Sequence, residues 1–276
     1  MSLEGANDLI RQFELTFSQP VDVPKGTELY TGIDLGTSNI VLAVVDKAGK
    51  PVAGAMRYAQ VVKDGLVVDY IGAMDIVRSL KNELEERLNR TLDVAGIAYP
   101  PGTLEEDQMA FVHVAESSGF EVNSKTDEPT AANQVLGIDS GVIVDIGGGT
   151  TGIAVLEDGQ VVYVADEPTG GLHFSLVVAG AYKIPFGEAE ELKKRTEKHR
   201  ELFPVVKPVV QKIAAIIRNH ISSFKVDTLY LVGGSSCFTG IEDELAKELK
   251  VKVYKPDNPL LATPLGIALS VRRKGD

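Results

Sequence analysis

The chain has 276 residues, 44% of them hydrophobic and 24% charged, enough for one large core or for two lobes of roughly 100–150 residues each. Its formal net charge is -11 and it has no long Lys/Arg cluster, which argues against nucleic acid or an anionic membrane surface as a partner. A single cysteine, Cys237, excludes an intrachain disulfide and a cysteine-based metal cluster, and no apolar run reaches the ~18–20 residues of a transmembrane segment.

Met1–Gly5 are left out of the fold reading. Residues 6–15 read as a short amphipathic helix with Leu9, Ile10 and Phe13 on one side. After a connector with Pro20 and Pro24, a three-strand meander is expected at 29–35, 39–46 and 51–58, and a weaker strand pair within 59–71 around Lys63-Asp64-Gly65. Ile76, Val77, Leu80, Leu84 and Leu88 recur at helical spacing and predict a helix over 73–90. A short strand at 94–99 stops at Pro100-Pro101-Gly102, a helix at 104–118 ends at Gly119, and a strand at 120–124 leads to a helix opening at Asp127-Glu128-Pro129. A second meander spans 141–166, and Gly170-Gly171 precede a helix at 172–181. Residues 187–200 are charged and helical, a solvated face; Pro204 and Pro208 punctuate the start of a further helix to about 223. The chain closes with a strand at 228–232, a helix at 240–249, a strand at 251–254 and a helix at 264–272 starting at Pro264. Strands interleaved with helices predict an α/β protein, and the meanders predict mixed sheets.

The two meanders say nearly the same thing. Ile33-Asp34-Leu35-Gly36-Thr37-Ser38-Asn39 returns about 110 residues later as Val144-Asp145-Ile146-Gly147-Gly148-Gly149-Thr150. Each copy is a strand ending at Asp, a small-residue turn and a second strand, and such self-similarity predicts two related lobes with a cleft between them. The turns lack bulk, so phosphate oxygens can approach their backbone N–H groups, and Thr37, Ser38, Asn39, Thr150 and Thr151 add side-chain donors. Asp34 and Asp145 are placed to hold a hydrated Mg²⁺ over those phosphates. One such turn alone is an ordinary tight hairpin; the argument rests on the matched pair. Glu128, at a helix start, is placed to orient an attacking water, although on the residues alone a charge complementing the helix dipole is the plainer alternative. Gly170-Gly171 and Gly233-Gly234 are tight turns that would let a nucleotide approach the backbone. His113, His173, His199 and His220 form no motif, and Cys237 reads as a small residue beside a turn.

In this order, Asp-Leu-Gly-Thr, Glu-Pro-Thr-Ala-Ala, Asp-Ile-Gly-Gly-Gly-Thr and Val-Gly-Gly-Ser resemble the ATPase core shared by actin, the DnaK-type heat-shock chaperones and the bacterial actin homologue MreB. The resemblance covers about 29–270. It implies a two-lobed, actin-like α/β fold of duplicated ribonuclease H-like domains: lobe I at 25–139, completed by a C-terminal helix at 259–273, and lobe II at 140–258. Mg-ATP or ADP would lie in the cleft. The resemblance assigns Asp34 and Asp145 to the Mg²⁺ site and Glu128 to water positioning. Gly36, Thr37, Ser38, Asn39, Gly147, Gly148, Gly149 and Thr150 fall to the phosphate turns. It gives Gly170 and Gly171 to a nucleotide-contacting turn, Gly233, Gly234 and Ser235 to the adenosine motif, and Glu190 and Lys193 to the ribose.

Within the superfamily, the short chain and compact first lobe most resemble the EutJ family of ethanolamine-utilisation proteins, which is described as chaperone-like. That resemblance implies a cytoplasmic accessory protein with slow ATPase activity, whose clients would be ethanolamine ammonia-lyase or components of its bacterial microcompartment. Three departures stand out. Where the chaperones carry a second Asp this sequence has Gly152, no residue matches their catalytic lysine by motif, and these 276 residues are expected to have no room for their C-terminal peptide-binding domain. ATP binding is therefore expected more firmly than fast hydrolysis. The competing expectations are an ATP-binding filament or assembly scaffold akin to MreB, for which the 6–15 helix would be a self-association segment, and a small-molecule kinase.

Overall fold

Two stretches rich in β-branched residues each fold into the same five-stranded sheet. The structure, a computed structural model, describes residues 3–272; Met1, Ser2 and Arg273, which figure in the expectations above, lie outside the described residues. The chain begins with α1 (Leu3–Thr16), β1 (Leu29–Leu35), β2 (Asn39–Asp46) and β3 (Pro51–Tyr58). Two-residue strands β4 (Val62–Lys63) and β5 (Leu66–Val67) follow, then α2 (Tyr70–Leu88), β6 (Val94–Tyr99), α3 (Glu105–Ser117), β7 (Glu121–Asp127) and α4 (Glu128–Leu136). The second half comprises β8 (Gly141–Ile146), β9 (Thr151–Glu157), β10 (Gln160–Glu167), α5 (Gly171–Tyr182), α6 (Phe186–Lys194) and α7 (His199–Ile221). It ends with β11 (Thr228–Val232), α8 (Ile241–Leu249), β12 (Lys252–Tyr254) and α9 (Ala262–Arg272).

The sheets run in the orders β3-β2-β1-β6-β7 and β10-β9-β8-β11-β12. In each, the first three strands form an antiparallel meander and the last two add in parallel. The repeat legible in the sequence is thus a repeat of topology.

Both faces of β1, β2, β8 and β9 are largely apolar, and both are covered, whereas the edge strand β10 is exposed or half-buried along its whole length. Ile40, Leu42 and Val44 face outward to α2 and α3, while Val41, Ala43 and Val45 face the molecular centre. In the second sheet Val142 and Val144 face α5, α7 and α8, and Ile143 faces the centre. The central layer is α1, α4 and α9. Each repeat ends in a helix that packs on the other repeat's sheet: α9 lies on β1, β2 and β6, and α4 on β8 and β9. Every residue from Ala262 to Leu269 is buried, which is why α9 is apolar all round instead of amphipathic. Glycines set its depth. A Cβ on Gly32 would stand 2.4 Å from the Pro264 carbonyl, and one on Gly266 would stand 1.9 Å from the Ala131 carbonyl.

Four local expectations change. The 6–15 helix begins at Leu3 and buries Ala6, Ile10 and Phe13 in the central layer. The charged stretch 187–200 is not one helix: Arg195 adopts an extended conformation (φ -81°, ψ 104°), and a 3-10 turn at Thr196–Lys198 separates α6 from α7. Pro204 and Pro208 lie inside α7, not at its start. Both are exposed and four residues apart, so the carbonyls of Arg200 and Pro204 that lose their N–H partners face solvent, while Leu202, Val206 and Val210 face the core. The terminal helix starts at Ala262, after a 3-10 turn at Pro259–Leu261. No helix among the described residues is long and apolar enough to cross a membrane.

The crossing of α4 and α9 yields a paired prediction. Gly266→Ala drives a methyl into backbone that cannot yield, so it should lower the free energy of unfolding by about 3 kcal/mol. Gly180→Ala, at a helical site open to solvent, should raise it by about 0.5–1 kcal/mol. Urea denaturation of both variants tests this, and a near-neutral Gly266→Ala would refute the close packing.

Candidate functional site

Asp34 and Asp145 occupy the penultimate positions of β1 and β8, the equivalent central strands of the two sheets. Each strand then breaks into its small-residue turn, and the turns face one another. A Cβ on Gly148 would come 2.4 Å from Ser38 Oγ, and one on Gly149 would come 2.9 Å from Thr37 Oγ1. The lack of a side chain at both positions lets the turns come this close. The turns open into a cleft of about 420 Å³. Asp34, Gly36, Thr37, Ser38, Asn39, Glu128, Asp145, Gly147, Gly148, Gly149, Thr150, Glu190, Lys193, Gly233, Gly234 and Ser235 all line it.

Gly170 and Gly171 do not line the cleft. They stand behind the second turn: Gly171 N donates to the Gly147 carbonyl at 2.9 Å and Leu172 N to the Gly148 carbonyl at 2.8 Å. With Ser235 Oγ donating to the Gly147 carbonyl at 2.7 Å and Gly147 N donating to the Thr150 carbonyl at 3.0 Å, they fix the turn's shape. The structure shows them as the turn's support.

Glu190 is almost fully buried, accepting from Ser175 Oγ and, at 2.8 Å, from Lys193 Nζ. Lys193 also donates to the Gly171 carbonyl at 3.0 Å, and burial holds its pKa below the usual lysine value against the pull of Glu190. These two residues are therefore a wall braced to α5. The far end of the cleft is aromatic. His199 stacks on Phe238 with ring centroids 4.1 Å apart, and Phe174 meets Phe238 edge-on. Thr239 N donates to His199 Nδ1 at 3.0 Å, so Nε2 carries the proton and donates to the Lys193 carbonyl at 2.9 Å. Burial lowers the His199 pKa and keeps this ring neutral. Cys237 lies on the same wall, with its thiol pushed up by burial.

The electrostatics are those of crowded carboxylates. Burial, then repulsion from Asp145, pushes Asp34 up to about 7. Burial pushes Asp145 to about 6, although Thr263 Oγ1 donates to its Oδ2 at 2.6 Å and acts in the opposite direction. Glu128, the first residue of α4, is raised well above the usual carboxylate range by burial and then by Asp145, Asp34, Asp166 and Asp127. Asp166, on β10, is pushed to about 6, again by burial first. The sequence analysis had not identified Thr263, Asp166, His199 and Phe238 as site residues. Only the match of helix starts in the two repeats, Glu128-Pro129-Thr130 and Thr263-Pro264, offered a signal for Thr263.

No group of three or more His, Cys, Asp or Glu side chains forms a metal cage among the described residues. Asp34 and Asp145 still suit a divalent cation such as Mg²⁺, which keeps most of its waters and takes one or two carboxylates plus phosphate oxygens. Their mutual repulsion is the feature such a cation would relieve. On the first-repeat side, none of the described residues lining the cleft is a lysine or arginine.

A pH dependence follows. Carboxylates whose folded pKa values lie above their unfolded values bind more protons when folded. The stability they contribute is complete below about pH 4 and is lost as pH rises towards the raised values of about 6 to 7. His199, with its lowered pKa, acts with the opposite sign below about 6.5. The comparison is therefore made between variants. Asp34→Asn should lose less melting temperature than the wild type between pH 5 and pH 8. Calorimetric scans giving parallel pH profiles would contradict the assignment.

Comparison with known proteins fits this geometry. Residues 129–259 match the family model described as type IV pilus assembly protein PilM. The chain is 43% identical over 256 residues to the ethanolamine utilization protein EutJ of Escherichia coli (strain K12), across 92% of this chain and 90% of that one. The crystal structure of EutJ from Carboxydothermus hydrogenoformans superposes with a TM-score of 0.91 at 47% identity, over 97% of this chain and 99% of that chain. MreB 5 of Spiroplasma citri bound to AMPPNP shares the fold, with a TM-score of 0.71 at 17% identity over 88% of this chain and 95% of that one. The chain belongs to the EutJ family of ethanolamine utilisation proteins and has the actin-like ATPase fold.

Proposed function

We propose that this protein binds Mg-ATP between its two repeats and acts as a slow ATPase, a chaperone-like accessory factor in the assembly or reactivation of ethanolamine ammonia-lyase or its microcompartment. The observation that carries the nucleotide reading is the pair of facing glycine turns, each following a buried or half-buried aspartate, at the mouth of one cleft. The fold shared with an AMPPNP-bound MreB supports it. The accessory role and its clients rest on membership of the EutJ family.

In this reading the backbone N–H groups of both turns hold the phosphates, and Thr37, Ser38 and Thr150 supply hydroxyl donors. Asp34 and Asp145 hold the cation through its waters. Mg²⁺ would neutralise phosphate charge and restore both carboxylates to their ionised form. Gly233 carries no side chain that would obstruct Asp145 Oδ1, whose neighbouring Oδ2 is fixed by Thr263. Glu128, the first residue of α4 and on the cleft wall, would orient an attacking water. The aromatic end, with Phe238 and His199, would take the base. The lack of a lysine or arginine on the first-repeat wall supports slow turnover, because no cation there can share the charge that develops on the terminal phosphate. The filament reading gains nothing from α1, since its apolar side is consumed in the central layer.

Two experiments test the reading. Calorimetric titration of ATP into the wild type should give binding that tightens with Mg²⁺, and Asp145→Ala should weaken the Mg²⁺-dependent part by at least tenfold. A folded wild type that binds no ATP would end the nucleotide reading. Glu128→Ala should bind ATP like the wild type yet hydrolyse it about 100-fold more slowly under single-turnover conditions. Unchanged hydrolysis would remove Glu128 from the mechanism.

A further inference from the structure

One charged residue near the cleft has no part in that mechanism. Asp166 does not line the cleft, yet the strand register ties it to the site. Asp145 of β8 pairs with Gly152 of β9, and Gly152 pairs with Asp166 of β10. Directly opposed residues place their side chains on one face of a sheet, so Asp145 and Asp166 flank Gly152 on the face that carries α4. Their Cα atoms are ~10 Å apart, and no side chain stands between them. A Cβ on Gly152 would meet Pro101 Cδ at 3.1 Å and Pro129 Cγ at 3.3 Å. Glycine at this position is what lets α4 begin directly above the row and brings Glu128 over it.

The first repeat provides an internal control. There Asp34 pairs with Val41, and Val41 pairs with Met56. The same fold therefore builds this row as Asp-Val-Met in one half and Asp-Gly-Asp in the other. An acid at the third register is not needed to make the sheet. It also carries a cost, since burial and the charges of Asp145 and Glu167 all disfavour its ionised form. The Thr150 hydroxyl of the phosphate turn lies near enough to the Asp166 carboxylate to favour its ionised form, while Oδ1 is buried and has no hydrogen-bond partner. An unpaired buried acceptor calls for an explanation, and a bound water or ion is one that fits here.

We infer that Asp166 is a positioning residue of the nucleotide site: it fixes the Thr150 hydroxyl in the phosphate turn and, with Asp145 and Glu128, orders the water shell of the divalent cation carried by a nucleoside triphosphate. The inference rests on the nucleotide reading above. It makes lobe II the side that senses the cation, because lobe I has Met56 where lobe II has the third carboxylate.

The test uses Asp166→Asn, which keeps the side-chain shape and removes the charge. ATP affinity is measured by calorimetry with Mg²⁺ and with EDTA, and the melting temperature is measured without nucleotide. The affinity in EDTA should stay within about twofold of wild type, and the affinity in Mg²⁺ should fall about tenfold. The melting temperature should rise by about 2–4 °C as repulsion is relieved. Asp166→Glu, which retains the charge, should recover most of the Mg²⁺ dependence. A fall in melting temperature would mark a structural residue and overturn the inference. So would equal weakening in both buffers, or no change in either. A wild type that binds no ATP would overturn the nucleotide reading itself, and this inference with it.

Discussion

The cleft depends on one backbone crossing, where Gly266 of α9 lies against the Ala131 carbonyl of α4. Neither helix sits on a surface. Each is the last element of its repeat, and each is pressed into the opposite sheet, so the two halves hold each other's central helix. That exchange fixes the N-termini of both helices at the cleft. α4 delivers Glu128 as its first residue, with Asp127 capping the turn by accepting from Thr130 N at 2.9 Å. α9 delivers Thr263 to Asp145. Side chains supplied by the start of two helices packed through the core are positioned by that packing.

That scaffold stabilises an arrangement that is unfavourable by itself. Asp34, Asp145, Asp166 and Glu128 gather where water is scarce, and every one of them is pushed towards its protonated form. Desolvation dominates in all four, with like-charge repulsion second or opposed by a hydroxyl donor. Such a cluster adds nothing to folding. It makes sense as a site whose native ligand brings positive charge, and the two helix N-termini aimed at it supply only part of that charge. On the first-repeat wall no described lysine or arginine lines the cleft to supply the rest.

Duplication explains both what is shared and what is not. The two meanders obey one register, so Asp34 and Asp145 fall at equivalent places. The turns meet because two copies of a hairpin face each other across α4 and α9. The halves then diverge at particular positions: Val41 against Gly152, Met56 against Asp166, and a two-residue hairpin β4–β5 where the second repeat passes straight to α5. The divergent positions fall around the cleft, while the shared ones build the sheets.

Much of this was written in the chain. Alternating β-branched runs gave the strands, glycine after aspartate gave the turns, and helical spacing gave α2, because local patterns report which faces are buried. The reading failed where local chemistry is ambiguous. Pro204 and Pro208 look like a helix start, but sit on the dry-free, solvent-facing side of α7, where lost hydrogen bonds are replaced by water. Nor did the reading show that Gly170 and Gly171 clamp Gly147 and Gly148 from behind. By itself the sequence determined the repeat and the place of each aspartate before its glycine turn, since each is a short contiguous motif. Tertiary structure alone decided that Thr263, Asp166 and the His199–Phe238 stack join them, because their partners lie on other strands or helices, up to 118 positions apart in the case of Asp145 and Thr263, and only packing brings them together.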